Sequence, residues 1–342
     1  MLQNIQRLPR GQRLVIFILI FGGILALLIG VTVFLVVGSI NAEPRGTAVA
    51  LTDTITVAEF AVLPGADAFP AAVAVAPDGR VYTGSYKTGT LWVIGADGQP
   101  AEVPGSAEAM GSVAGLSFGA DGSLYIVDQK DADPRTSGGQ IQRITADGTI
   151  SPFATIPDER GFIAADDVAV DGSNNVYVTD RGRDEVWRFA PDGTGEAWWT
   201  PPALDGVKSY EPTGLAYDAG RQALIITDGL ANTVYSVALA DQSSTLLYQH
   251  GDRPDAPGFD GVTVLPDGTI YVAALEQNGI VRVADGQLTY IAGLFRGASD
   301  VDTTPDGTRL YVTNFDSFSL AVPGTFPHLP FGLDVITFVP PT

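Results

Sequence analysis

Apolar residues form one unbroken run near the N-terminus and alternate with polar ones almost everywhere after it. Leu14 to Val37 is a stretch of 24 uncharged, apolar residues. As a helix it reaches about 36 Å, more than the roughly 30 Å hydrocarbon core of a bilayer. Cleavable signal peptides have apolar regions of only about 7–15 residues, so the run predicts a retained transmembrane anchor. Val37-Gly38-Ser39 is a small-residue sequence that offers cleavage as the alternative. The flanking segment 1–13 carries Arg7, Arg10 and Arg13 and no acid. The positive-inside rule then keeps the N-terminus cytoplasmic and places the rest outside, in a single-pass cell-membrane protein. Residues 38–53 read as a linker.

From there the period is two. Phe259 to Ala273, FDGVTVLPDGTIYVA, shows the unit: a short apolar strand, a Pro-Asp-Gly turn and a second strand. Asp-Gly between alternating runs signals a hairpin, because glycine tolerates the positive φ of a tight turn. Strands of this kind begin at Val73, Leu116, Val168, Leu215, Val262 and Val301. Each is followed five residues later by a turn, at Asp78, Asp121, Ser173, Gly220, Asp267 and Asp306. A third strand follows in five units (90–94, 140–144, 185–189, 233–237 and 279–283), then another turn and a weaker fourth strand. Four strands every 39 to 52 residues is the pattern of a β-propeller blade. Six units predict an all-β, six-bladed propeller over 54–342, preceded by one transmembrane helix. The sixth unit lacks a strand, and Ile55–Ala61 has no partner of its own. Pairing the two closes the ring and removes two open sheet edges.

Composition narrows the chemistry. The chain has no cysteine, so it has no disulfide, thiolate nucleophile or Cys-based zinc site. Beyond residue 40 lie 39 acids against 16 basic residues, a formal −23. Such a surface repels nucleic acid and favours cations wherever acids converge. The only histidines, His250 and His328, lie in different loops, and no Gly-x-Ser-x-Gly elbow is present.

What repeats in every blade is architecture, and what varies between blades is a candidate for function. Asp128, Asp180, Asp228 and Asn314 end the second strands of four units, which marks them as strand-end hydrogen-bonding groups. Two residues before each inner strand the blades differ: Ala71, Ala114, Asp166, Thr213, Asp260 and Ser299, with Asp167 and Asp300 alongside. Inner strands line the channel, so these oxygens are expected to converge. Carboxylates brought together raise each other's pKa unless a cation neutralises them. An all-oxygen set suits Ca²⁺ first, with Mg²⁺ or Zn²⁺ as alternatives. The alternative is that each acid caps its own turn. Two long loops, 128–139 and 315–332, lie on the same face and are placed to cover one end of the channel.

The motifs PTGLAYD (212–218) and FDGVTVLPDGTIYVA, with the six-blade count, resemble the gluconolactonase and senescence-marker-protein (regucalcin) family. The chain is also similar to strictosidine-synthase-like and NHL-repeat propellers. The resemblance implies a divalent metal at the channel mouth held by one Glu, two Asn and one Asp. Asp260 matches the family's Asp, Thr213 falls on one Asn, and Asp166 falls on or beside the other. Near Pro70, where the family has its Glu, no acid is present. The implied function is metal-dependent hydrolysis of a lactone or other small ester. In it Asp166, Thr213 and Asp260 bind the metal, and Asp260 doubles as general base. A strictosidine-synthase-like enzyme would instead use a channel acid without metal. A third expectation is a non-catalytic NHL-like module binding a protein, peptide or glycan at the cell surface.

Overall fold

The computed structural model describes residues 9–40, 44–133, 136–251, 253–322 and 325–339. They form two compact units, one of residues 1–44 with 317–328, the other of 45–316 with 329–342. The first contains the helix Arg10–Ile40, of which Arg10–Val36 is long and apolar enough to cross a membrane, with a mean hydropathy of 3.1. A short helix, Ser317–Ala321, belongs to the same unit.

The second unit is the six-bladed propeller that the repeats predict. Six antiparallel sheets are present among the described residues. Every inner strand packs against the next blade's inner strand, and that of blade 6 packs against that of blade 1. Blade 3 is typical, with strands Ala165–Val170, Val176–Asp180, Glu185–Phe189 and Gly195–Trp199. Its second strand is buried throughout, because blades cover it on both faces. Between blades 3 and 4, Tyr177 packs edge-on against Trp198, and Trp199 against Tyr235. The tryptophan pair is therefore core.

Blade 6 closes the ring as expected. Ile55–Val62 pairs antiparallel with Gly332–Phe338, beside Arg309–Thr313 and Val301–Thr303. The linker is shorter than residues 38–53, since Val49–Ala50 already adds a fifth strand to blade 5. The Asp-Gly turns carry positive-φ glycines, among them Gly79, Gly122, Gly268 and Gly307. Their aspartates close the turns: the Thr269 N–H donates to Asp267 Oδ1 at 2.8 Å, and the Ser123 N–H to Asp121 Oδ1 at 2.9 Å.

The inner strands surround a cavity of about 270 Å³. Near its upper end the ladder between first and second strands slips in five blades, across Pro70/Ala72, Val113/Gly115, Ala165/Val168, Pro212/Leu215 and Phe259/Val262. A bulge interrupts the period-two alternation and re-aims the side chains at that point. Those are the positions at which the blades differ.

Candidate active site

The bulges send neighbouring residues in different directions. Asp167 and Asp300, in blades 3 and 6, turn toward the following blade. The Leu215 N–H donates to Asp167 Oδ2 at 2.8 Å, and the Val73 N–H to Asp300 Oδ2 at 2.7 Å. Each second oxygen accepts from its own following residue, Val168 or Val301, at 2.8 Å. Asp302, one turn of the pleat further down, does the same with Val75 and Thr303, both at 2.7 Å. These three carboxyls bridge inner strands and line the central cavity. Burial pushes all three up, Asp167 to about 8 and Asp302 to about 6, against the backbone N–H groups that favour the ionised form. Gly261 is required here, since a Cβ would lie 2.0 Å from Asp300 Oδ1.

Thr213 is also turned into the ring. It is buried, and its Oγ1 lies 3.0 Å from the Phe259 carbonyl, to which it donates, and 3.1 Å from Thr227 Oγ1. Thr227 in turn donates to the Asp260 carbonyl at 2.6 Å. This hydroxyl stitches blade 4 to blade 5.

Asp166 and Asp260 remain at the mouth, and they share a cation that the sequence reading missed. Arg181 Nε lies 3.3 Å from Asp166 Oδ2. The guanidinium is held well above its ordinary range, chiefly by Asp166, then by Asp260, Tyr86 and Glu211, against its own burial. Its side chain is 35% exposed. Burial raises Asp166, opposed by Arg181 and reinforced by Glu211. Asp260 is raised well above the usual carboxylate range by burial and then by Asp166, with Arg181 opposing. Among the hydrogen bonds of the described residues none reaches the Asp260 carboxyl. It is half-buried and chemically uncommitted.

The position of Arg181 recurs in each blade, one residue past the strand-end group: Tyr86, Gln129, Arg181, Gly229, Leu275 and Phe315. These residues form the rim. Tyr86 donates to Gln129 Oε1 at 2.9 Å, and its ring meets Phe315 edge-on at 5.3 Å. Beneath them the strand-end groups hold the loops: Asp180 accepts from Ile163, Ala164 and Gly182, and Asp228 from Glu211 and Ala231. The blade 2 loop is tied to blade 3 by the Gly138 N–H, which donates to the Phe162 carbonyl at 2.8 Å; residues 134 and 135 of that loop lie outside the described residues. His250 sits elsewhere, between Tyr248 and Arg253.

The donor set does not fit the divalent metal expected at Asp166, Thr213 and Asp260. The Thr213 hydroxyl is engaged between blades, and the positive charge beside the two acids is already supplied by Arg181. Among the described residues no group of three or more acidic or histidine side chains is arranged to hold a metal.

No protein-family profile matches the sequence, and no curated protein is significantly similar to it. Its fold is shared with solved structures. A gluconolactonase from Xanthomonas campestris matches at 18% identity and a TM-score of 0.59, over 87% of this chain and 99% of that one. Virginiamycin B lyase from Staphylococcus aureus matches at 17% and 0.57, over 83% and 100%. The PQQ-bound aldose sugar dehydrogenase from Streptomyces coelicolor matches at 16% and 0.56, over 86% and 99%. At these identities the likeness establishes the propeller fold, which is the architecture the sequence resemblance implies.

Proposed function

We propose that this chain is a membrane-anchored, extracytoplasmic propeller that hydrolyses a lactone or small ester at the channel mouth without a metal. The observation that carries the reading is the Asp260 carboxyl, which no hydrogen bond among the described residues reaches and which lies in the field of the partly exposed Arg181 side chain. Burial and Asp166 raise the Asp260 pKa, which favours the protonated form that a general acid needs. Arg181 takes the carbonyl oxygen and stabilises the charge that develops on it. Water attacks the acyl carbon and the acyl–oxygen bond breaks. Asp260 protonates the leaving alkoxide and regains a proton from the attacking water, so an ester gives a carboxylic acid and an alcohol, and a lactone gives a single hydroxy acid. Asp166 keeps Arg181 charged and aimed. The arginines at 7, 10 and 13 support the N-terminus-inside topology of the helix Arg10–Val36.

The test is turnover of a panel of γ- and δ-lactones and aryl esters by the full chain in detergent, before and after exhaustive chelation. The reading expects hydrolysis that chelator leaves unchanged. Hydrolysis abolished by chelator and restored by Ca²⁺ or Zn²⁺ contradicts the metal-free mechanism. No hydrolysis of any substrate points instead to a binding module.

A further inference from the structure

The outer edge of blade 5, where the chain enters the propeller, carries exposed apolar side chains that the fold does not use. Val49 and Ala50 pair with Gly293 and Ala292 at the outer edge of blade 5, and the Leu51 N–H donates to the Ile291 carbonyl at 2.8 Å. Val49, Leu51 and Leu294 are 38%, 54% and 65% exposed. Leu294 also has a φ of +62°, a left-handed conformation that a leucine adopts only at a cost. Three large apolar side chains presented to solvent on adjoining segments, one of them on strained backbone, mark a contact surface.

What this edge meets follows from the chain that leads to it. Arg45 is fastened to the propeller: its guanidinium pairs with Glu59 and lies 3.5 Å from Asp334, and its N–H donates to the Leu329 carbonyl at 3.2 Å. Its side chain is 4% exposed. Residues 37–44 alone separate the apolar span from this attachment, a reach of at most about 30 Å even when fully extended. We propose that Val49, Leu51 and Leu294 form a membrane-contact edge that rests on the outer surface of the bilayer crossed by Arg10–Val36. This rests on the anchor reading above. The edge offsets the repulsion between an acidic domain and the membrane surface by placing aliphatic side chains among the lipid head groups.

The absence of cysteine makes the test direct. Leu51→Cys, Leu294→Cys and, as control, Gln287→Cys are prepared in the full chain and labelled with an environment-sensitive fluorophore. Gln287 is exposed and lies at the other end of the blade 5 outer strand, about 20 Å from Gly293. Each protein is reconstituted in phosphatidylcholine vesicles with and without a lipid spin-labelled near the head group. The expected result is at least twofold stronger quenching at 51 and 294 than at 287. Equal quenching at all three, in protein that floats with the vesicles, overturns the contact edge while leaving the anchor intact. Protein that does not float, or that is recovered from cells already cleaved near Ser39, overturns the anchor and the edge together.

Discussion

Asp260 and Asp300 occupy adjacent blades, and each has a neighbour that is chemically much like itself, yet the structure gives them opposite work. Both are acids at the start of an inner strand, both are buried enough for their pKa values to rise well above the usual range. Asp300 has both oxygens filled by backbone N–H groups, one from blade 1, and so fastens the seam at which the ring closes. Asp260 sits one position earlier relative to its strand, with no such donor among the described residues and with Asp166, Arg181 and Asp167 as its electrostatic surroundings. The same division separates Asp166 from Asp167 in blade 3. A buried carboxyl whose hydrogen bonds are complete is part of the frame. One whose bonds are open is available to a substrate.

The comparison can be broken from either side. The largest effect is expected from Asp260→Asn, which keeps the shape and removes the transferable proton. Hydrolysis should fall by roughly 10²–10⁴-fold with the melting temperature unchanged, measured as kcat on the best lactone beside a thermal melt. Asp300→Ala should do the reverse. It leaves the Val73 and Val301 N–H groups unpaired and should lower stability by about 2–4 kcal/mol in denaturant unfolding, with activity per folded molecule retained. A smaller effect comes from pH. Asp167 and Asp302, at about 8 and about 6, lie above the roughly 3.9 of an unfolded aspartate, so the folded state binds more protons. Their contribution is complete below about pH 4 and is lost as pH rises through about 6 and then about 8. The melting temperature should therefore decline from pH 5 to pH 9, and Asp302→Asn should flatten the first part of that decline.

Much of this was legible in the sequence, for identifiable reasons. The Asp-Gly turns and the strand period are local and repeated, so they fix six blades, and the unpartnered Ile55–Ala61 fixes the closure. Asp166 and Asp260 stood out because they differ from their counterparts in other blades. The direction of Thr213 and the division between Asp166 and Asp167 were not legible. A bulge moves side chains by one position, and alternation alone does not reveal where it falls. Arg181 is masked in the sequence by the repeated acid before it, Asp180, which marks that strand end as architecture. The adjacent position, reading Tyr86, Gln129, Arg181, Gly229, Leu275 and Phe315, varies in every blade and carried the signal.

The protonation state of Asp260 tests the central claim most directly. Selective ¹³Cγ-aspartate labelling of wild type and Asp260→Asn, compared across a pH series by NMR, isolates its resonance as the one that disappears. An Asp260 that still titrates well above the ordinary value of about 4 is the predicted result. An Asp260 that is fully ionised by pH 5 would leave the mouth without a general acid and would contradict the account.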